Sequence, residues 1–397
     1  MRQRSTILIL SALVFFSVYL CGFFIASGKP LWLDEHYSIT HSTTSVSYIQ
    51  ILQGRFEEWN NAPLFYLGQK VLCDLVSYDP GTLIPVRSAQ GMVFYTDPFS
   101  NVYLRLISIF FMALAPAALF YYFSRRYSWG WGSFAALLCL SSWLFWWYGL
   151  EARPYIHFLA LTTLQVIIFL EIAGRKEGDR KPWIWMGIIN VLLALTVTTS
   201  VLQTLLIGAW FLVFSRRDLN VRRILLVFVL PALIAAYYYA IALKARAFFS
   251  VPIYKYYLSN VPWDIVVVVF VFLIYAGSSW FLGDKKPPLL LRWLKRDEIK
   301  EAGSMVFFMV SVSMVYFLVL LLLKMRELPL GQGGGPFAHR HLINLVPVGI
   351  IAMTVFSRAL FQSFDKRLRV FFIIVLAAIL AWRFIYAYSY AHAWIGI

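Results

Sequence analysis

Apolar residues in this chain come in long runs rather than in alternation. Runs of about 18 to 23 residues suit helices that span a bilayer. They predict helices over 6–27, 103–123, 129–148, 154–172, 182–199, 200–214, 224–243, 262–282, 304–323, 343–360 and 370–390, eleven in all. The sixth is the shortest, and only Thr198-Thr199-Ser200 divides it from the fifth. Pro182, Pro231 and Pro347 fall at or within these helices, where a membrane setting tolerates them. The expected fold class is therefore an all-α polytopic membrane protein.

The stretch between the first two runs, 28–102, is long and has a different pattern. Leu64, Leu67, Val71, Leu72, Leu75 and Val76 repeat at helical spacing within 62–77, with Gln69, Lys70 and Asp74 elsewhere on the wheel. That segment falls short of the ~20 residues a span needs, so it predicts a helix lying in the membrane interface. A shorter one is expected around Val46–Leu52. The segment 324–342 carries Gly331-Gln332-Gly333-Gly334-Gly335-Pro336. It has no Gly-Lys-Ser/Thr ending, so it reads as a loop that closes over a site rather than a phosphate-cradling turn. No internal repeat or soluble domain is evident, and 1–397 reads as a single transmembrane domain.

Composition excludes a soluble chain: 61% of residues are hydrophobic and 14% charged, with a mean hydropathy of +0.72. The net charge of +16 does not mark a nucleic-acid partner, because the basic residues cluster between the apolar runs. With the N-terminus in the cytoplasm, 22 of the 35 Lys and Arg lie on the inner side, and the outer side, groups at helix ends included, holds the other 13. That bias predicts a cytoplasmic N-terminus and an extracytoplasmic 28–102 loop. The first run follows Arg2 and Arg4 and lacks a clear small-x-small cleavage site, which suits an uncleaved span. Three cysteines, Cys21, Cys73 and Cys139, imply no disulfide framework.

On that topology, ionisable residues gather at one leaflet. Asp34, Glu35 and His36 follow the first span, Arg105 opens the second, Glu151 and Arg153 sit between the third and fourth, and His339, Arg340 and His341 precede the tenth. Charges at a membrane boundary are costly to desolvate and tend to have a task or a partner. Carboxylates beside guanidinium groups suit an anionic substrate, since the guanidinium is a planar, permanently charged fork of donors. Simpler readings stay open. Arg105 and Arg153 could snorkel to headgroups, Glu151 and Arg153 could neutralise each other, and the histidines could be ordinary loop residues. A divalent metal held by Asp34, Glu35, His36 and His341 is chemically allowed but has no spacing signature.

Five local patterns, in order, resemble the GT-C superfamily of integral-membrane glycosyltransferases, in particular its protein O-mannosyltransferase and aminoarabinose-transferase-like group (glycosyltransferase family 39-like). They are Leu33-Asp34-Glu35, Asn61-Ala62-Pro63-Leu64-Phe65-Tyr66, Arg105-Leu106-Ile107-Ser108, Glu151-Ala152-Arg153-Pro154-Tyr155 and His339-Arg340-His341-Leu342. A single Pro63 stands where the group commonly has two prolines, and His341 where an aromatic often follows the arginine. The resemblance implies a GT-C fold that takes a sugar from a polyprenyl- or dolichyl-phosphate and passes it to an extracytoplasmic acceptor hydroxyl on a glycan, lipid or protein. Asp34 would be the general base in an inverting displacement, with Glu35 positioning it. Arg105, Glu151, Arg153, His339 and Arg340 would hold the lipid-phosphate donor. The implied location is a bacterial inner or plasma membrane. No cofactor is required by this chemistry, and a metal is optional. The competing readings are a transporter or flippase for a lipid-linked anion, using the same arginines, and a polymer ligase acting on a lipid-linked glycan.

Overall fold

The computed structural model describes residues 2–57, 62–83, 85–88, 91–173, 180–214, 220–245 and 343–395. Within them, six helices are long and apolar enough to cross a membrane: Arg4–Gly28, Leu106–Arg126, Tyr155–Ala173, Val221–Ile241, Leu345–Gln362 and Lys366–Ser389. The chain is an integral membrane protein and mostly helical. Expected spans 262–282 and 304–323, and the 331–336 loop, lie outside the described residues.

Several expected spans are divided. The segment 129–148 breaks into α7 (Trp129–Leu140) and α8 (Trp143–Gly149). At the break, Ser141 turns its hydroxyl back to the Leu138 carbonyl at 3.0 Å, and the Trp146 indole covers the Leu140 carbonyl at 2.6 Å. A serine that bonds its own backbone competes with helix continuation. The segment 103–123 begins instead with a short α5 (Pro98–Tyr103), capped by Asp97 on the Ser100 N–H at 3.0 Å, before α6 (Leu106–Arg126). Helix α10 (Lys181–Ala194) ends earlier than 199. The carbonyls just past it, Leu195 and Thr196, accept the N–H groups of Leu64 and Ala62 at 2.8 and 3.0 Å. Those bonds seat α4 (Pro63–Leu75), whose Pro63 opens the helix where a missing N–H costs nothing.

Helix α4 is the segment expected to lie in the interface. Its 13 residues are too few to cross a bilayer. Phe65, Tyr66, Gln69 and Cys73 are buried, while Val71 and Leu75 are exposed. A three-stranded antiparallel sheet shares the loop and corrects the all-helical expectation there. Its strands β1 (Leu31–Trp32) and β2 (Pro85–Ser88) flank β3 (Gly91–Phe94), with Leu31 opposite Phe94 and Val86 opposite Val93. Strand β1 fixes the chain as it leaves α1 (Arg2–Gly28) and enters α2 (Leu33–Ile39).

Helix α6 is the central strut, packed against α1, α7 and α9 (Tyr155–Ala173). Beside it, Gly149 lies so close to Met112 that a Cβ would come within 2.5 Å of the sulfur, so a side chain there would force the Met112 side chain or the turn to shift. Deeper in the bundle runs a chain of buried amides. Gln165 donates to Asn190 at 2.7 Å, Gln203 donates to Gln165 at 2.6 Å, and Asn344 donates to Gln203 at 2.8 Å. Asn190 in turn donates to the Val227 carbonyl at 2.8 Å. Neutral amides of this kind tie helices together where apolar contact alone does not favour protein over lipid.

Candidate active site

The candidate residues within the described part converge at one end of the bundle, where the exit of α1, the start of α6 and the turn from α8 to α9 meet. Adjacent residues on a helix point about 100° apart, so Asp34 and Glu35 at the start of α2 face different partners.

Glu35 is buried and meets Arg105 in a bidentate pair, with Nε to Oε1 at 2.8 Å and Nη2 to Oε2 at 2.7 Å. Arg105 gives its remaining donors to the end of α1. Nη1 reaches the carbonyls of Ala26 (3.3 Å) and Lys29 (2.6 Å), and Nη2 that of Pro30 (2.9 Å). All five guanidinium donors are engaged, and they serve carbonyls at and just past the end of α1, where the Ala26 carbonyl also accepts the Lys29 N–H at 3.2 Å. Glu35 also accepts from the Ala152 N–H at 2.7 Å and from the Trp32 N–H at 3.3 Å. One buried ion pair thus joins α1, α2, α6 and the α8–α9 turn. Burial would raise the Glu35 carboxyl, but the charges of Arg105 and Lys29 and the bonds from Arg105 and Ala152 together hold it below the usual range.

Asp34 faces the other way. Its Oδ2 accepts from Arg153 Nη1 at 2.7 Å; the Asp34 side chain is 38% exposed and that of Arg153 only 4%. The Arg153 guanidinium lies over the Tyr155 ring, 4.9 Å from its centroid. The pair therefore has a solvent-side carboxylate and a recessed cation on an aromatic face, the kind of fork that binds phosphate oxygens. Glu151, two residues earlier, is 2% exposed, and its Oε2 has no hydrogen-bond partner among the described residues. Burial pushes its carboxyl up to about 7, against the opposing pull of Lys29 and Arg153.

His36 stands apart from both pairs. Its ring stacks on Phe94 with centroids 3.7 Å apart, and burial followed by the His41 charge lowers its pKa. With Glu35 engaged by Arg105 and His36 against Phe94, these residues do not converge as a ligand set. Among the described residues no three His, Cys, Asp or Glu gather to hold a metal. His339, Arg340 and His341 lie outside the described residues.

Two residues at this end were not singled out from sequence. Lys29 donates to the Leu150 carbonyl at 2.9 Å, beside the acidic group. Its signal was a basic residue at the end of the first span opposite the positively charged loops. His157, buried one turn past Arg153, packs against Phe111 at 4.3 Å and Phe65 at 5.2 Å. Its i+4 spacing from Arg153 was the available sign.

No protein-family profile matches the sequence, and no curated protein matches it. Among solved structures, the chain is similar to the crystal structure of ArnT from Cupriavidus metallidurans bound to undecaprenyl phosphate. The identity is 14% and the TM-score 0.48, over 93% of this chain. The chain spans 64% of the length of that structure.

Proposed function

We propose that the protein is a lipid-phosphate-sugar-dependent glycosyltransferase of the GT-C type. It takes a sugar from a polyprenyl- or dolichyl-phosphate donor and passes it to an acceptor hydroxyl outside the cytoplasm. The observation that carries this reading is the Asp34–Arg153 pair at 2.7 Å, a base next to a recessed phosphate-binding cation. The five sequence patterns that resemble the superfamily support it.

In this reading the donor phosphate competes with Asp34 for Arg153. The sequence resemblance adds Arg340 as a second cation for the phosphate, with His339 and Glu151 as further donor-binding residues. As the phosphate takes Arg153, the Asp34 carboxylate turns to the acceptor. The acceptor oxygen attacks the anomeric carbon opposite the phosphate, the carbon–oxygen bond to phosphate breaks, and Asp34 receives the hydroxyl proton. The lipid phosphate leaves with the bonding electrons, stabilised by the cations that held it. A single base and no enzyme nucleophile give inversion. Glu35 and Arg105 act as positioning residues, since Arg105 has no donor left for a ligand.

The test incubates purified protein with a panel of radiolabelled polyprenyl-phosphate sugars and a hydroxyl acceptor. Transfer of label with release of polyprenyl phosphate is expected, and it should be lost in Asp34→Asn. Movement of the intact lipid-linked sugar between leaflets without cleavage would establish the transporter reading instead.

A further inference from the structure

We propose that Glu151 is the charge-setting residue of the donor site: held as the neutral acid, it leaves Lys29 and Arg153 facing the donor phosphate with one positive charge in excess. The inference rests on the donor reading above and adds the electrostatic condition for it.

The geometry singles out this carboxyl. Glu151 is sealed to 2% exposure, and among the described residues its Oε2 has no hydrogen-bond partner, whereas Glu35 close by accepts four hydrogen bonds. A buried carboxylate oxygen without a donor weighs against the ionised form, and such groups take up a proton instead. The charged groups that face it are Lys29 from the end of α1, Asp34 and Glu35 from α2, and Arg153 from its own turn. Arg105 and Glu35 cancel as a closed pair. Among the described residues, Lys29 and Arg153 then stand against Asp34 alone. That excess suits a phosphodiester, the linkage in a lipid-phosphate sugar, which keeps a single negative charge throughout the neutral range. Ionising Glu151 removes the excess and sets a second carboxylate near the incoming anion. The shift of its carboxyl toward neutrality agrees with this assignment.

The experiment measures equilibrium binding of short-chain polyprenyl-phosphoryl mannose and glucose to the full-length protein across neutral pH. The free polyprenyl alcohol serves as an uncharged control. Wild-type affinity for the phosphoryl sugars should fall about tenfold from pH 6 to pH 8, while the alcohol shows no such trend. Glu151→Gln should hold the low-pH affinity throughout. Burial also lowers the Lys29 ammonium from its ordinary range, and loss of that proton would weaken binding in the same direction. Glu151→Gln retaining the full wild-type slope would therefore overturn the assignment, as would a flat wild-type profile. Infrared difference spectra of the wild-type protein keep the test open if the variant does not fold. A protonated-carboxyl band titrating near neutrality is expected, and its absence counts against the proposal. No binding of either phosphoryl sugar at any pH would overturn the donor reading itself and this inference with it, whereas pH-independent binding overturns this inference alone.

Discussion

Glu35 and Arg105, seventy positions apart in the chain, form a bidentate ion pair with both side chains fully sealed from solvent. Truncating one member of a buried pair leaves the other charge without compensation, at a cost of roughly 3–5 kcal/mol. Arg105→Ala and Glu35→Ala should therefore reduce thermal stability in detergent severely, and Arg105→Lys only somewhat less. The double variant Glu35→Leu with Arg105→Met should recover part of the loss. If Arg105→Ala keeps its stability and instead weakens donor binding, the guanidinium belongs to the phosphate site after all.

Arg153 should behave in the opposite way. A hydrogen bond to a charged group is worth about 1.5–3 kcal/mol, so its loss should weaken donor binding roughly tenfold to a hundredfold. Lys at this position should rescue only part, because the planar fork and its stacking on Tyr155 are lost. Donor titrations on folded Arg153→Ala and Arg153→Lys check this, and unchanged affinity in both would remove Arg153 from the site.

The two buried glutamates should move stability with pH in opposite directions. Glu35 is held below its unfolded value. Its contribution is present above the unfolded carboxyl pKa and lost as pH falls through the lower folded value. Glu151 is raised to about 7, so the folded state binds its proton more tightly and stability falls as pH rises from the unfolded value toward 7. Melting curves from acid to neutral pH should show Glu151→Gln gaining on the wild type as the pH rises. A Glu151→Gln curve parallel to the wild type across that window would exclude the raised value.

The amide chain in the bundle gives a prediction that does not depend on the site. Gln203 both donates to Gln165 and accepts from Asn344, so Gln203→Leu strands two buried amides. Hydrogen bonds between membrane helices average near 0.6 kcal/mol with a maximum near 1.7, and a loss of about 1–2 kcal/mol is expected. Thr163→Val should be close to neutral, because among the described residues that hydroxyl bonds only the Leu159 carbonyl of its own helix, at 2.9 Å. Equal losses in unfolding assays would mean that the amides do not act as a linked chain.

Much of this arrangement could be read from the chain itself. Long apolar runs located the helices, and the acids and arginines at their ends marked the residues that meet at one end of the bundle. Which acid meets which arginine was not legible. Asp34 and Glu35 are neighbours in sequence, and only the helical turn that begins at Leu33 sends one toward Arg153 and the other toward Arg105. Helix breaks escaped as well. Ser141-Ser142 and the end of α10 at Ala194 are set by side chains and distant N–H groups that an apolar run does not reveal. The strands at 85–88 and 91–94 are too short to show a period, and Leu31–Trp32 pairs with a segment sixty residues away.

The assignment of Asp34 as the base gives the last prediction. Its carboxylate is the exposed member of the pair with Arg153, so it can reach an acceptor, as the sealed Glu35 cannot. An acceptor hydroxyl is a far weaker acid than any carboxylic acid, so its proton must move as the bond to the sugar forms. Removing the base should then lower the rate of transfer by about 10²–10⁴. Asp34→Asn keeps the size of the side chain and removes the basic oxygen. It also ends the competition between Asp34 and the donor phosphate for Arg153, so donor affinity should stay level or rise. Slow transfer with unimpaired donor binding is a combination that neither a folding defect nor a lost phosphate ligand produces. The measurement is single-turnover sugar transfer by folded, donor-saturated protein, with donor affinity measured on the same preparation. Transfer by Asp34→Asn at close to the wild-type rate would remove Asp34 as the base, and a parallel fall in donor affinity would make it a binding residue instead.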